Sequence, residues 1–165
     1  MIRVVLTVLV AVALLAAATP ALEDARATTT AERLEAETDR VERAVGGLVA
    51  GSVSVGDPSL AARTTVIVRA PSGFGAAPID RVALVEIGDG GGAATVESGV
   101  TDADVALRYR IDGGPERTAP IAPGGVDAAV AVDGGAIALR PGGESRLVLR
   151  LVDDGGPTVR IARVG

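Results

Sequence analysis

The sequence predicts an α+β protein in which one long N-terminal helix precedes a mainly antiparallel β domain, built as a meander or a sandwich. Three observations support this fold class. Residues 1–22 are almost entirely apolar, residues 23–50 are charged with the spacing of an amphipathic helix, and residues 51–165 alternate short β-like runs with Gly, Pro and Asp turns. We therefore expect a transmembrane helix or signal-anchor, a stalk helix and an extracellular β-rich domain, in that order.

The composition excludes much chemistry. Cys, His, Lys, Asn, Gln and Trp are absent from the 165 residues, so thiolate and imidazole metal sites, Ser-His nucleophiles and Schiff-base lysines are impossible. The 16 arginines are scattered singly against 21 carboxylates, which leaves a net charge of −5 and no basic surface for nucleic acid. We expect no enzyme, no catalytic, cofactor-binding or metal-binding residues, no cofactor and no small-molecule substrate.

The apolar run has the length of a membrane span. The 19 residues from Val4 to Leu22 would form a helix of roughly 28 Å at about 1.5 Å per residue, enough to cross a hydrocarbon core. The alternative is a signal peptide with a small-residue cleavage site at Ala16–Ala18 or Thr19–Ala21. Arg3 precedes the run and two carboxylates follow it, so we expect a single-pass protein of the cell membrane with a cytoplasmic N-terminus and an extracellular C-terminal domain.

A charged helix is predicted after the apolar run. Thr29–Glu32 has the Thr-x-x-Glu form of a capping box, and Gly46–Gly47 with Gly51 indicates the end of the helix. Ion pairs are expected on its outer face at i,i+3 and i,i+4 spacing. These pairs are Glu37 with Arg40 and Asp39 with Arg43.

Apolar residues at heptad spacing form a seam along this helix, interrupted by Asp24 and Thr38. The seam consists of Ala27, Ala31, Leu34, Val41, Val45 and Leu48. Three heptads of mostly small residues are too few for a coiled coil. We expect the seam to pack on the protein's own β domain, with part of it free for neighbouring subunits.

The stretch from Leu14 to Leu22 resembles the second half of a type IV pilin helix, in which an alanine-rich apolar run meets a proline before the helix becomes amphipathic. The order of apolar helix, polar helix, glycine break and β-rich head is also that of pilins and pseudopilins. Unlike pilins, the run has no carboxylate before Glu23. The resemblance implies a subunit that assembles through its helix in the membrane.

The whole chain is similar to an uncharacterised family of small membrane proteins from halophilic archaea, a domain of unknown function, through its start at Met1–Val5 and its strand at Arg146–Leu149. That resemblance implies a gene near those of archaeal pilus or secretion machinery, and no known activity comes with it. The absence of Lys beside an excess of Asp and Glu fits a carboxylate-rich surface soluble at high salt. The codon bias of a GC-rich genome explains the same composition equally well.

Seven strands are predicted after the stalk. Their bounds are 63–69, 81–87, 104–112, 127–132, 136–140, 145–152 and 158–164. Apolar and polar side chains alternate in 105–111 and in 146–152, which indicates an antiparallel sheet with one solvent-exposed face. Asp-Gly-Gly occurs at 89, 112, 133 and 154 and Pro-Gly-Gly at 123 and 141, so we expect the first set of turns at one end of a meander and the second at the other.

Four features of the β domain resemble binding or catalytic sites, and each has a simpler structural explanation. Gly88–Ala93 fits the G-x-G-x-x-A dinucleotide fingerprint, but strand-like residues follow it instead of a helix. Asp102 with Asp104 resembles a carboxylate pair for acid–base chemistry, but a short acidic loop before a strand explains it better. Phe74 and Tyr109 are too few to form a stacking platform for sugars or bases, and we expect Tyr109 in the core. The turn aspartates lie outside any EF-hand or calcium repeat. They are Asp89, Asp112, Asp133, Asp153 and Asp154.

The leading functional hypothesis is a membrane-anchored, pilin-like or accessory structural subunit of a surface filament or secretion system. Its expected partners are the membrane, through the N-terminal helix, and other pilus or secretion subunits. The alternative is a secreted or anchored β-sandwich module whose loops bind an unknown ligand. Neither hypothesis requires a catalytic residue.

Overall fold

The computed structural model describes residues 2–87, 104–123 and 125–165, and it has the predicted α+β class. In these ranges one helix is followed by eight strands. They are α1 (Ile2–Ala50), β1 (Ala62–Arg69), β2 (Ile79–Glu86), β3 (Val105–Ile111), β4 (Glu116–Ile121), β5 (Ala129–Val132), β6 (Ala136–Ala138), β7 (Glu144–Asp153) and β8 (Pro157–Val164).

The strands form two four-stranded sheets that share one hydrophobic core. The sheet orders are β1-β7-β8-β5 and β4-β3-β2-β6, and every pairing is antiparallel except the parallel pair of β5 and β8. Val66 and Leu149 from the first sheet and Leu84 and Leu107 from the second are buried in that core. The domain is therefore a sandwich, and meander connections are limited to β2-β3-β4 and β7-β8.

Alternation predicts the exposed face of β7 correctly. Leu147, Leu149 and Leu151 are buried, while Arg146 and Arg150 are exposed. In β3 the apolar face is buried as predicted, but Ala106 on the other face is buried too and Arg108 is half-buried. On this second face, Ala106 stands between Val85 of β2 and Pro120 of β4, and Arg108 Nε lies 3.3 Å from Glu116 Oε1, so side chains of the neighbouring strands shield it from solvent.

The strand β4 has no counterpart among the seven predicted strands. Its sequence, Glu116 to Ile121, is polar and contains Pro120, which argues against a strand. The structure places β4 at the edge of its sheet, beside β3 alone. A proline is tolerated there because one side of an edge strand needs no ladder hydrogen bond.

The turns are not sorted by type to the two ends of the sandwich, so that prediction is wrong. We call the end that carries the β1–β2 loop the near end and the end beside the C-terminus of α1 the far end. Asp112 N donates to Pro78 O at the near end (2.9 Å), whereas Asp153 N donates to Val55 O at the far end (3.0 Å). The Asp133 turn passes from one sheet to the other, which breaks the regular alternation of a meander. The Asp-Gly-Gly turn at 89 lies outside the described residues.

The helix α1 is continuous through both features that were expected to bound it. Thr29–Glu32 lies in its interior and forms no cap, and Gly46–Gly47 continues as helix to Ala50. Gly51 does follow the last helical residue, and its N–H donates to Gly47 O at 3.1 Å. The capping motif is not used because the residues before it are already helical, so no free N–H groups exist there to cap.

Candidate membrane anchor and its junction with the sandwich

The first half of α1 is exposed, and no other described part of the chain buries it. It contains an 18-residue window with a mean hydropathy of 2.4, and none of that window is buried. Large apolar side chains such as Leu6, Leu9 and Leu15 are more than half exposed all around the helix. By length and composition this segment is able to act as a membrane span or signal-anchor.

The second half of α1 contributes one stripe to the core of the sandwich. The buried residues of the stripe are Thr30, Ala31, Leu34, Thr38, Val41, Val45 and Leu48. Every seam residue from Ala31 onward is therefore buried, and Ala27 is partly buried against the same core. Thr38 was expected to interrupt the seam, but it lies within the stripe because its hydroxyl donates to Leu34 O at 3.2 Å and needs no solvent.

The helix lies across the open side of the sandwich, where it packs chiefly against the edge strands β1 and β4. Three polar side chains of α1 accept hydrogen bonds from backbone N–H groups along that side. Thr30 Oγ1 accepts from Ala77 N at 2.9 Å, Glu37 Oε2 from Arg69 N at 3.1 Å, and Glu42 Oε1 from Ala122 N at 2.9 Å. Arg69 is the last residue of β1, Ala77 lies in the β1–β2 loop and Ala122 follows β4, so these bonds fix α1 to the ends of the two edge strands that it covers.

Only one of the two predicted ion pairs on the helix is formed. Glu37 and Arg40 are joined at 2.9 Å, but the Glu37 side chain is only 12% exposed and is turned toward β1 instead of outward. Arg43 Nε donates to the backbone carbonyl of Asp39 at 3.2 Å in place of its carboxylate. Sequence reasoning missed the roles of Glu37 and Glu42 because nothing local tells a solvated glutamate from one facing an edge strand.

Two of the turn aspartates, Asp133 and Asp154, lie beside Arg160, and Asp104 of the acidic loop accepts a backbone hydrogen bond. Arg160 pairs with Asp154 and also lies 3.9 Å from Asp133, and Asp104 Oδ2 accepts from Val130 N at 3.2 Å. No group of three or more acidic side chains suited to a metal ion occurs in the described part of the chain. Gly88–Ala93 and Asp102 lie outside the described residues.

Tyr109 is a core residue, as the sequence predicts. Its side chain is buried on β3, and burial raises the pKa of its phenol above the ordinary value, with the nearby Glu35 carboxylate adding to the rise. The protonated, neutral phenol is therefore favoured in the folded protein. Phe74, the other aromatic residue, is 93% exposed in the loop between β1 and β2.

Comparison with known proteins identifies a family and no individual relative. No curated protein and no solved structure matches the chain. One family model does match, and its match covers the apolar half of α1, the buried stripe and both sheets alike. The chain belongs to the DUF7311 family, a domain of unknown function, through residues 1–164.

Proposed function

We propose that this protein is a membrane-anchored structural subunit, pilin-like or accessory to a surface filament or secretion system, and that it performs no catalysis. One observation carries the proposal. The single helix α1 is apolar and wholly uncovered in its first half and is part of the domain core in its second half. Because one helix runs from the apolar half into the core of the sandwich, the packing of such helices in a membrane would decide where their domains lie.

The expected orientation of the protein in the membrane follows from the charges on either side of the apolar run. Arg3 precedes the apolar run, and Glu23 and Asp24 follow it. The positive-inside rule then puts the N-terminus in the cytoplasm and the sandwich outside the cell. The absence of Lys and the net charge of −5 agree with an origin in a salt-loving archaeon, where such surfaces are common.

Retention of the helix is favoured over cleavage. Both candidate cleavage sites, Ala16–Ala18 and Thr19–Ala21, lie inside continuous helix. Pro20 has no N–H to donate to Ala16 O, but the rest of the segment keeps its helical hydrogen bonds, so a peptidase that needs an extended substrate would have to unwind it. We therefore treat α1 as a permanent anchor, through which the protein contacts its neighbours.

Cysteine crosslinking tests the proposal cleanly because the chain has no cysteine of its own. Single substitutions Val8→Cys, Leu9→Cys, Val10→Cys and Ala11→Cys cover one turn of the apolar half. We expect intact protein in the carbonate-resistant membrane fraction, and crosslinks to a second copy or another subunit from one face of that turn. The matched control is Val53→Cys, an exposed apolar position in the segment between α1 and β1, which is expected to stay uncrosslinked.

Two results would overturn the proposal. Protein found free in the medium, cleaved near Ala18 or Ala21, would remove the anchor. Crosslinking with equal, low yield at all four positions, in protein that does remain in the membrane, would leave an anchor without an assembly role and favour the binding-module hypothesis.

A further inference from the structure

The loop between β1 and β2 has an unusual surface for an acidic protein. Residues 70–79 contain no charged side chain, and Phe74, the only phenylalanine in the chain, stands at its tip between Gly73 and Gly75. The Phe74 side chain is 93% exposed. Phe74 differs from other exposed apolar side chains of the domain, such as Leu60, because it stands in an uncharged loop close to the apolar half of α1.

The loop is fixed to the beginning of the buried stripe. The guanidinium carbon of Arg26 lies 5.0 Å from the centre of the Phe74 ring. Ala77 N donates to Thr30 Oγ1 at 2.9 Å, and Ala76 N donates to Gly73 O at 3.1 Å. Because the bond to Thr30 ties the loop to α1 just after its tip, and the Gly73–Ala76 bond closes the tip into a turn, the fold sets the position of Phe74 beside α1.

That position corresponds to a definite depth. Arg26 is four residues beyond Leu22, the last residue of the apolar run, which is about 6 Å along a helix axis. The headgroup layer on each side of a bilayer extends about 5–8 Å beyond the hydrocarbon core. The Phe74 ring lies against the side chain of Arg26, so, resting on the proposed membrane anchor, the loop tip lies at or close to the level of the lipid headgroups.

We propose that the β1–β2 loop is a second membrane contact, in which Phe74 enters the interfacial layer of the same bilayer that α1 crosses. Aromatic rings are favoured at that layer, and the Arg26 guanidinium above the ring is placed to reach lipid phosphate while its stem stays against apolar surface. One helix alone leaves the tilt of the sandwich free. A second contact beside it fixes which face of the domain is turned toward the membrane.

Tryptophan fluorescence tests this contact because the chain has no tryptophan. The full-length variant Phe74→Trp is placed in two sets of phosphatidylcholine vesicles. In one set the acyl chains carry bromine near the headgroup, and in the other they carry it deep in the bilayer. The matched control is Leu60→Trp, a 75% exposed apolar position just before β1 at the far end. Leu15→Trp, inside the apolar run, reports on the anchor itself. We expect Phe74→Trp to emit at shorter wavelength than Leu60→Trp and to be quenched strongly by the shallow bromines, while Leu60→Trp is not quenched.

The outcomes separate the loop from the anchor. Quenching of Leu15→Trp by deeply placed bromines with no quenching of Phe74→Trp would overturn the loop contact and leave the anchor intact. No quenching of either variant, in protein that fails to float with the vesicles, would overturn the anchor and the loop contact together. A short-wavelength emission from Phe74→Trp that no bromine quenches would overturn the lipid contact in favour of a protein neighbour on the loop.

Discussion

Thr30 belongs to the predicted capping box but binds the β1–β2 loop instead of capping a helix. Its hydroxyl is fully buried and accepts the hydrogen bond from Ala77 N. In Thr30→Val the shape is kept but the Ala77 N–H loses its partner in a buried place, at a cost of about 1–3 kcal/mol in the free energy of unfolding. Urea unfolding of the full chain in detergent, followed by the fluorescence of Tyr109 as the only tyrosine, measures this loss.

The control for this substitution lies half a turn away. Thr28 is exposed, and its hydroxyl donates only to Asp24 O within the helix. Thr28→Val is expected to change the unfolding free energy by less than about 0.5 kcal/mol. If the two variants were equally stable, the hydrogen bond to Ala77 would not matter, and the loop carrying Phe74 would not be held as described.

The burial of a side chain could be predicted where it follows from spacing along the helix. It could not be predicted where it depends on residues far away in the sequence. The heptad spacing located Leu34, Val41 and Leu48 on one buried face, because periodicity alone decides which side chains share a side of a helix. Glu37 and Glu42 look like ordinary solvated glutamates by the same rule. Their partners, Arg69 N and Ala122 N, are 32 and 80 residues away in sequence.

At the scale of the element, α1 contains two glycines that helix physics does not require. A Cβ added at Gly46 or at Gly47 would meet no atom within 4 Å. Each Gly→Ala substitution is therefore expected to stabilise the protein by about 0.5–1 kcal/mol, because alanine loses less backbone entropy in a helix. Denaturant unfolding of both single variants checks the gain.

A glycine in a turn provides the opposite case. Gly113 follows Asp112 in the β3–β4 turn, and both residues have positive φ, +66° and +49°. Such a pair is typical of the tight hairpin turn that the Asp-Gly sequence predicts. Gly113→Ala is expected to destabilise the protein by about 1–2 kcal/mol, although its Cβ would also find open space. Equal effects at Gly46 and Gly113 would show that backbone conformation is not what separates them.

At the scale of the whole molecule, what the sequence could not predict is the order of strands in each sheet. The Asp-Gly-Gly turns mark chain reversals correctly at Asp112 and Asp154, since turn chemistry is local. Whether the strands on either side of a turn are neighbours is decided by packing of the entire core, and at Asp133 they lie in different sheets. The apolar half of α1 could be assigned from sequence because hydropathy is a local property. The position of the β1–β2 loop beside α1 could not, because it depends on packing between distant residues.

The division of α1 into two halves predicts how the molecule responds to truncation. Removing residues 2–24 deletes no buried residue, so a fragment of residues 25–165 is expected to be soluble and to unfold with nearly the free energy of the full chain.

Removing residues 2–50 also deletes Leu34, Val41, Val45 and Leu48, each worth about 1.5–3 kcal/mol of burial, a sum comparable with the 5–15 kcal/mol that stabilise a typical domain. It further uncovers the edges of β1 and β4. A fragment of residues 51–165 is therefore expected to aggregate or remain unfolded by circular dichroism, and a cooperative unfolding transition in it equal to that of 25–165 would refute the integral role of the helix.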